Sequence, residues 1–401
     1  MEIRDMSLQD YCCLNRPRFV IDPQKDAEWY FGNLSVQGSI IERLKSDVDV
    51  RGVPKFGVWG RFGSGKTHML YHLKHRFERS DQFLSFYVRV SPYTEEDPQT
   101  RGWGYIHRKI LDAMGEKTLR DLVRASDRVL GSRERDLSEI IQEHLKFGDA
   151  NLKQSLAYVL ASFFLRETRS TTEAWDWLKG QGVCHGTTKK LETSADMIDL
   201  LLNLGKLARS SLKKAIVFLL DEGQALQEVK KASVAQIHDS FLQLAEPENE
   251  DVGFVLAIFG TGTRMLPDVI MHPTDIISRL GVTERNLGRA FIDLKDIVRT
   301  PSDFRAFAED VLQNLIDGSR AKSLIEKYNL ASRVNQNRIP FTDDALDRIT
   351  QNVAEQEPNR NPRIIIGTLA RLAAAAYQQA KSENTYVVAD QAFVEPHLRD
   401  V

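Results

Sequence analysis

The stretch Gly60–Thr67 has the residue types and the spacing that bind phosphate groups. Its letters, GRFGSGKT, fit the pattern G-x-x-x-x-G-K-[ST], in which the glycines let successive backbone N–H groups turn toward phosphate oxygens. Lys66 can reach the β- and γ-phosphates of a nucleotide, and the Thr67 hydroxyl can ligate Mg²⁺. The plain alternative is a glycine turn with an incidental lysine. The pattern predicts a site for ATP and Mg²⁺ that contains Gly60, Arg61, Phe62, Gly63, Ser64, Gly65, Lys66, Thr67 and the adjoining His68.

Two neighbouring acidic residues, Asp221 and Glu222, follow the apolar run AIVFLL. A carboxylate at the end of such a strand can hold Mg²⁺ directly or through water, so we expect Asp221 to share the metal with Thr67. Glu222 can then act as the base that orients an attacking water. The alternative is an ordinary acidic strand end that leads into a turn. Together with the phosphate-binding pattern, the pair predicts hydrolysis of ATP rather than binding alone.

The elements that must position these residues alternate between strands and helices. An apolar strand precedes the glycine pattern, and a helix with apolar residues on one face follows it over 66–79. Strands that are separated by helices favour a parallel sheet in an α/β fold. The predicted strands are 54–60, 83–91, 213–222, 253–262 and 289–294.

The spacing of these strands predicts how the chain divides into domains. Roughly 120 residues separate the second strand from the third, whereas a crossover between parallel strands needs only about 10 to 12. We interpret the segment at about 95–210 as a helical insertion, because its apolar residues recur at helical spacing. The predicted division is a lead-in and helix over 1–50, a nucleotide-binding α/β domain over 51–300 and a small helical domain over 301–401.

Composition limits the partners and the compartment. The formal net charge is −2 and the sequence pI is about 6.5, so any contact with nucleic acid must come from a local patch. The longest apolar runs are too short to span a bilayer, and the first residues lack the apolar core of a signal peptide. Three cysteines provide neither a disulfide framework nor a zinc quartet. The expected setting is a reducing cytoplasm without membrane contact.

Four segments resemble the AAA+ ATPases: GRFGSGKT, the strand AIVFLLDE, a later strand that ends in GTGT, and the letters NPR at the start of a late helix. The likeness is to the origin-recognition and initiator branch and to its relatives among bacterial transposon and phage-defence ATPases. It extends over most of the chain, although the helical insertion matches no part of that family. The resemblance implies a P-loop NTPase fold, in which a three-layer parallel sheet is followed by an all-helical lid.

The resemblance also implies roles for three further residues. Thr261, with Thr263 as second choice, occupies the position at which a polar residue of the family contacts the γ-phosphate. The alternative is that this threonine only caps the end of a strand. Arg279 stands where an arginine reaches the active site of a neighbouring subunit, although a cation before Gly281 also suits a helix C-terminus. Arg363 stands where the lid arginine contacts ATP, and a solvated arginine is its alternative.

The two motifs predict an Mg²⁺-dependent ATPase, and the AAA+ resemblance implies that it switches a homo-oligomer in a bacterial DNA-transaction or anti-phage complex. The alternative is a nucleotide-gated signalling or scaffold module, which binds ATP with little turnover and recruits a protein through the helical insertion. Whether the protein binds DNA is left open by the sequence. Arg120, Arg124 and Arg128 recur every four residues and could form a basic stripe, but Asp121 and Asp127 dilute it, and such stripes are usually solvated helix faces.

Overall fold

The chain forms two compact units. The first unit contains residues 1–40, 60–69 and 294–401, and the second contains residues 41–59 and 70–293. The computed structural model describes residues 2–30, 34–91, 102–130, 137–145, 149–163, 168–223, 225, 231–246, 248–259, 291–294, 300–356 and 362–398.

The second unit contains a five-stranded sheet. Its strands are β1 (Lys55–Gly60), β2 (Phe83–Arg89), β3 (Ala215–Asp221), β4 (Val252–Phe259) and β5 (Phe291–Asp293). They are arranged in the order β2-β3-β4-β1-β5, and the pairs β2–β3, β3–β4 and β1–β5 are parallel. Every residue of β3 is buried, as expected of a strand that is covered on both faces. The predicted α/β class with a parallel sheet is therefore confirmed.

Each predicted strand is present in the described part of the chain. Wherever both are described, the first and last residues of the observed strands lie within two residues of the predicted ones, and the end of β1 and the start of β2 agree with the prediction. The predicted extension of the fourth strand over 260–262 lies outside the described residues. The order of the strands along the sheet was not predicted, and it places β3 directly beside β2 although a long segment separates them in the chain.

The segment between β2 and β3 is helical, as its apolar spacing predicts. Two buried tryptophans, Trp103 and Trp177, belong to its apolar core, and the Trp177 indole Nε1 donates to the Lys189 carbonyl at 3.0 Å. This bond satisfies the polar atom of a fully buried ring. The helices of the segment are α4 (Trp103–Leu130), α5 (Leu137–His144), α6 (Ala150–Ser162), α7 (Thr168–Leu178) and α8 (Ser194–Leu212).

The first unit combines N-terminal residues with the last helices of the chain. Tyr11 is buried and stacks on Tyr386 with 4.6 Å between ring centroids, while the Tyr377 hydroxyl donates to the Met6 carbonyl at 2.6 Å. The predicted division into 1–50, 51–300 and 301–401 stays a prediction. Helices of this unit are α1 (Leu8–Tyr11), which follows a short 3₁₀ turn, α10 (Pro301–Leu315), α11 (Gly318–Lys327), α12 (Asp343–Gln356), α13 (Pro362–Glu383) and α14 (Gln391–Leu398).

The remaining helices are α2 (Leu34–Arg51), α3 (Lys66–Arg79) and α9 (Lys231–Ala245). Within the described residues, we found no helix that combines the length and the apolar character needed to cross a membrane.

Candidate functional site

The glycine loop, Gly60–Thr67, connects the end of β1 to the start of α3. Gly63 and Gly65 have φ values of 81° and 90°, a region that side chains other than glycine rarely adopt. At Gly60 a larger residue would not fit, because its Cβ atom would lie 2.4 Å from the Ser64 hydroxyl oxygen. The path of the loop therefore depends on glycine at these positions.

Lys66 is the first residue of α3, and its side chain turns back along the loop. Its Nζ donates to the Gly60 carbonyl at 2.7 Å and to the Arg61 carbonyl at 2.9 Å. The first turn of a helix also presents backbone N–H groups that have no partner within the helix, and the helix dipole favours an anion there. A positive charge and a helix N-terminus thus occur together in one short segment, which suits the binding of phosphate.

The Ser64 hydroxyl is buried and has no hydrogen-bond partner in the part of the chain that the structure describes. A buried hydroxyl without a partner costs free energy, typically about 1–3 kcal/mol. An oxygen-rich ligand in the loop would remove this cost, because a hydroxyl can donate to a phosphate oxygen. Ser64 and the glycine geometry therefore fit a nucleotide phosphate.

His68 is the third residue of α3 and is buried. Its Nε2 is 2.6 Å from the Trp29 carbonyl oxygen, and its ring stacks on Tyr30 at 6.1 Å between centroids. Burial lowers the pKa of His68, so the neutral ring is favoured. The imidazole thus connects α3 to the segment before α2 within the first unit. Thr67, the predicted magnesium ligand, is partly exposed in the first turn of α3.

Asp221 is the last residue of β3 and only 2% exposed. One carboxylate oxygen accepts from the Tyr87 hydroxyl at 2.7 Å, and the other accepts from the Glu222 backbone N–H at 2.8 Å. Tyr87 lies on β2 and stacks on Tyr71 at 4.3 Å between centroids. Burial, followed by the nearby Asp221 charge, raises the pKa of Tyr87 far above its usual value, so the hydroxyl stays a donor. These bonds fix the orientation of the carboxylate.

Glu222 follows the strand in a left-handed backbone conformation, with φ at 59°. Its carboxylate accepts from the Arg89 guanidinium, with Nε at 3.1 Å from one oxygen and Nη2 at 3.0 Å from the other. The hydrogen bond with Glu222 raises the pKa of Arg89 above its usual value. The Arg89 side chain is 63% exposed, so solvent screens this ion pair. In this arrangement both oxygens of the predicted base are held by a cation.

Sequence reasoning missed Tyr87 and Arg89. They are two residues apart on β2, so both side chains project from the same face of the strand, and Arg89 is directly opposite Asp221 in the register of the sheet. A polar pair at the end of a buried strand was the available signal. It could not be used because the sequence did not show that β2 and β3 are neighbours.

Arg363 is the second residue of α13 and is exposed. Its guanidinium carbon lies 5.6 Å from the centroid of the Phe62 ring, which belongs to the glycine loop. Pro362 occupies the first helical position, as predicted, and Asn361 lies outside the described residues. Arg61 in the loop is also exposed.

Several predicted features stay predictions. Thr261, Thr263 and Arg279 lie outside the described residues. On α4, Arg120 pairs with Glu116 and Arg124 with Asp121, so acidic neighbours partly neutralise the proposed basic stripe. The side chain of Arg128 is not among those described.

Comparison with known protein families gave no matching family model, and comparison with curated proteins gave no match. The glycine loop offers a cation, an unsatisfied hydroxyl and a helix N-terminus, which together suit a phosphate. The end of β3 offers an oriented carboxylate, a type of ligand that suits Mg²⁺, and a second carboxylate that can accept a proton only after its ion pair with Arg89 separates.

Proposed function

We propose that this chain is an Mg²⁺-dependent ATPase of the AAA+ type, in which ATP binding and hydrolysis switch an oligomeric assembly. The observation that carries the proposal is the glycine loop. A buried strand leads into a turn that requires glycine, and the turn ends in Lys66 and Thr67 at the start of a 14-residue helix. This combination of strand, loop and helix N-terminus is a general way to bind the phosphates of a nucleotide.

The topology of the sheet supports a ligand at the end of β1. From β1 the chain proceeds through α3 to β2, at one edge of the sheet, whereas the chain after β4 leads to β5 on the opposite side of β1. Ligands of open α/β sheets bind outside the carboxyl ends of strands where connections diverge in this way. We infer that the sheet is part of a three-layer nucleotide-binding domain and that residues 301–401 form its helical lid.

The proposed roles follow from the chemistry of each side chain. Lys66 neutralises phosphate charge, and Thr67 and Asp221 provide oxygen ligands for Mg²⁺. When bound, the metal supplies charge that stabilises the phosphate oxygens during transfer. Glu222 orients and deprotonates the attacking water once the Glu222 carboxylate has separated from Arg89. The contribution of Arg363 to ATP recognition, of Thr261 or Thr263 to sensing, and of Arg279 to a neighbouring subunit rests on the AAA+ resemblance.

A second candidate is a nucleotide-gated scaffold that holds ATP with little turnover and recruits a protein through the helical insertion. The ion pair between Arg89 and Glu222 favours it, because Glu222 accepts from the guanidinium with both oxygens. A base held in this way is unavailable to water until the pair separates. The proposed cytoplasmic setting rests on composition, and the proposed role in DNA transactions or phage defence rests on the AAA+ resemblance.

The experiment that tests the proposal compares the wild type with Glu222→Gln, which removes the base but keeps the shape of the side chain. We expect the substitution to reduce ATP turnover about 100-fold or more, the usual contribution of a general base, while ATP binding is retained. Steady-state phosphate release measures turnover, and mass photometry with ATP, ADP or neither measures assembly. Glu326→Gln, a substitution of an exposed glutamate on α11, is the matched control.

Two results would decide between the candidates. Turnover in the wild type that Glu222→Gln removes, together with assembly that requires ATP, supports the ATPase. Tight ATP retention without turnover in both proteins, and a mass that does not change with nucleotide, supports the scaffold. Undiminished turnover in Glu222→Gln would show that the role given to Glu222 is wrong.

A further inference from the structure

Phe62 is an apolar residue in an unusual position. Its ring is 74% exposed in the glycine loop, between Arg61 and Gly63. Single exposed apolar residues are common and need no explanation. Here, however, the Arg363 guanidinium from the start of α13 lies over the ring, with 5.6 Å between the guanidinium carbon and the ring centroid. Both residues belong to the first unit. The contact therefore connects the loop to the first turn of a 22-residue helix.

The position of Arg363 is unfavourable for a cation on its own helix. The positive end of the helix dipole repels a guanidinium in the first turn. The face of an aromatic ring attracts a guanidinium, with a strength comparable to that repulsion at an exposed site. The Phe62 ring can therefore offset the dipole and hold Arg363 beside the loop.

Contact with an aromatic ring and contact with an anion use different parts of a guanidinium group. A guanidinium stacks on an aromatic ring through its planar face, whereas its N–H donors project from its edges. Those edges are the part that binds phosphate oxygens, often with two parallel hydrogen bonds. A guanidinium that is already held near the loop loses less conformational freedom when it binds such an anion.

We propose that Phe62 is a positioning residue that holds Arg363 where it can contact the terminal phosphate of ATP. The inference rests on the proposed function, because it assigns an anion to the glycine loop. It adds a specific consequence for selectivity. ATP has a terminal phosphate that ADP lacks, so loss of the ring weakens the binding of ATP more than the binding of ADP.

The test uses Phe62→Leu, which keeps an apolar side chain but removes the ring, and Phe62→Tyr, which keeps the ring. Isothermal titration calorimetry of the full chain with Mg-ATP and Mg-ADP measures both dissociation constants. We expect Phe62→Leu to lower the preference for ATP over ADP about 2- to 5-fold, the size of an exposed cation–π contact. Phe62→Tyr, which keeps the ring, should keep the wild-type ratio of the two dissociation constants.

The same substitution in an Arg363→Gln background distinguishes positioning of Arg363 by Phe62 from a direct contact between Phe62 and ATP. In Arg363→Gln, where no cation is present to be held, Phe62→Leu should have no further effect on ATP binding. A full effect of Phe62→Leu in that background would overturn the proposal, as would equal weakening of ATP and ADP binding. Unchanged ATP binding in Phe62→Leu would overturn it too.

A failure of the proposed ATPase function can be distinguished from a failure of the proposed role of Phe62. If the wild type bound neither nucleotide, the ATPase proposal would fail and the predicted selectivity would fail with it. The wild type, Phe62→Leu, Arg363→Gln and the variant with both substitutions, unfolded in urea without nucleotide, would still test the contact between Phe62 and Arg363. Shifts in the unfolding midpoint that are not additive support a direct contact between the two residues, whereas additive shifts contradict it.

Discussion

The glycine loop and the acidic end of β3 are built in different ways. The loop takes its shape from its own backbone, because Gly63 and Gly65 adopt φ values that other residues avoid. The end of β3 takes its shape from another strand, because Tyr87 holds Asp221 and Arg89 holds Glu222. A local backbone pattern fixes the first region, and distant side chains fix the second. Substitutions in the loop should therefore act through backbone strain, and substitutions at the end of β3 should act through lost side-chain contacts. The two effects can be measured separately.

Gly65→Ala tests whether the backbone conformation of the loop requires glycine. Its expected effect is larger than those of Tyr87→Phe and Arg89→Gln. Among the described residues, apart from the two chain neighbours of Gly65, no heavy atom lies within 4 Å of the added Cβ, so we attribute any loss to backbone strain rather than to a clash. Strain of this kind costs about 1–3 kcal/mol, which corresponds to about 5- to 160-fold weaker ATP binding if binding requires the strained loop. Calorimetric titration with Mg-ATP measures the change.

Gly367→Ala is the matched control for this substitution. Gly367 lies inside α13, and an added Cβ there also has no atom within 4 Å. Because its backbone does not have a positive φ, alanine should be tolerated or should stabilise the helix. Equal ATP affinity in Gly65→Ala and Gly367→Ala would contradict the backbone account.

Tyr87→Phe tests the side-chain account at the end of β3. The change removes the hydroxyl that donates to the buried Asp221 carboxylate at 2.7 Å and keeps the ring that stacks on Tyr71. We expect the free energy of unfolding to fall by about 1–2 kcal/mol, because a buried acceptor loses one donor. Urea unfolding measures it, with Tyr158→Phe on α6, where the tyrosine is 40% exposed, as control. An equal change in both variants would mean that the hydroxyl of Tyr87 does not hold Asp221.

Arg89→Gln has the smallest expected effect. An exposed ion pair contributes about 0–1 kcal/mol, so release of Glu222 should raise ATP turnover by no more than about 5-fold. The increase should shrink at high salt, because salt screens the original pair. Arg124→Gln, which removes an exposed ion pair with Asp121 on α4, is the control. Turnover that falls in Arg89→Gln would show that the arginine assists the reaction instead of restraining the base.

The same contrast explains what the sequence could predict. The five strands, the helix α3 and the glycine loop were predicted because each depends on residues close together in the chain. The acidic residues at the end of β3 were also predicted, since they follow a continuous apolar run. Turn chemistry and strand periodicity are local signals that a single sequence contains.

The partners of those acidic residues could not be predicted in the same way. Tyr87 is 134 positions from Asp221, and Arg89 is 133 positions from Glu222. Their meeting depends on which strands are neighbours in the sheet, and the long helical segment between β2 and β3 hides that pairing from sequence reasoning. The contact between Phe62 and Arg363 was missed for the same reason, because it joins a loop to a helix near the other end of the chain.

The central claim is that the glycine loop binds the phosphates of a nucleotide through Lys66. The most direct test is the dissociation constant of Mg-ATP for the wild type, Lys66→Ala and Lys322→Ala, an exposed lysine on α11 that serves as control. Lys66 contributes charge-assisted hydrogen bonds, so we predict binding at least about 100-fold weaker in Lys66→Ala and unchanged binding in Lys322→Ala. Equal ATP binding by the wild type and Lys66→Ala, or no binding by the wild type, would contradict the claim.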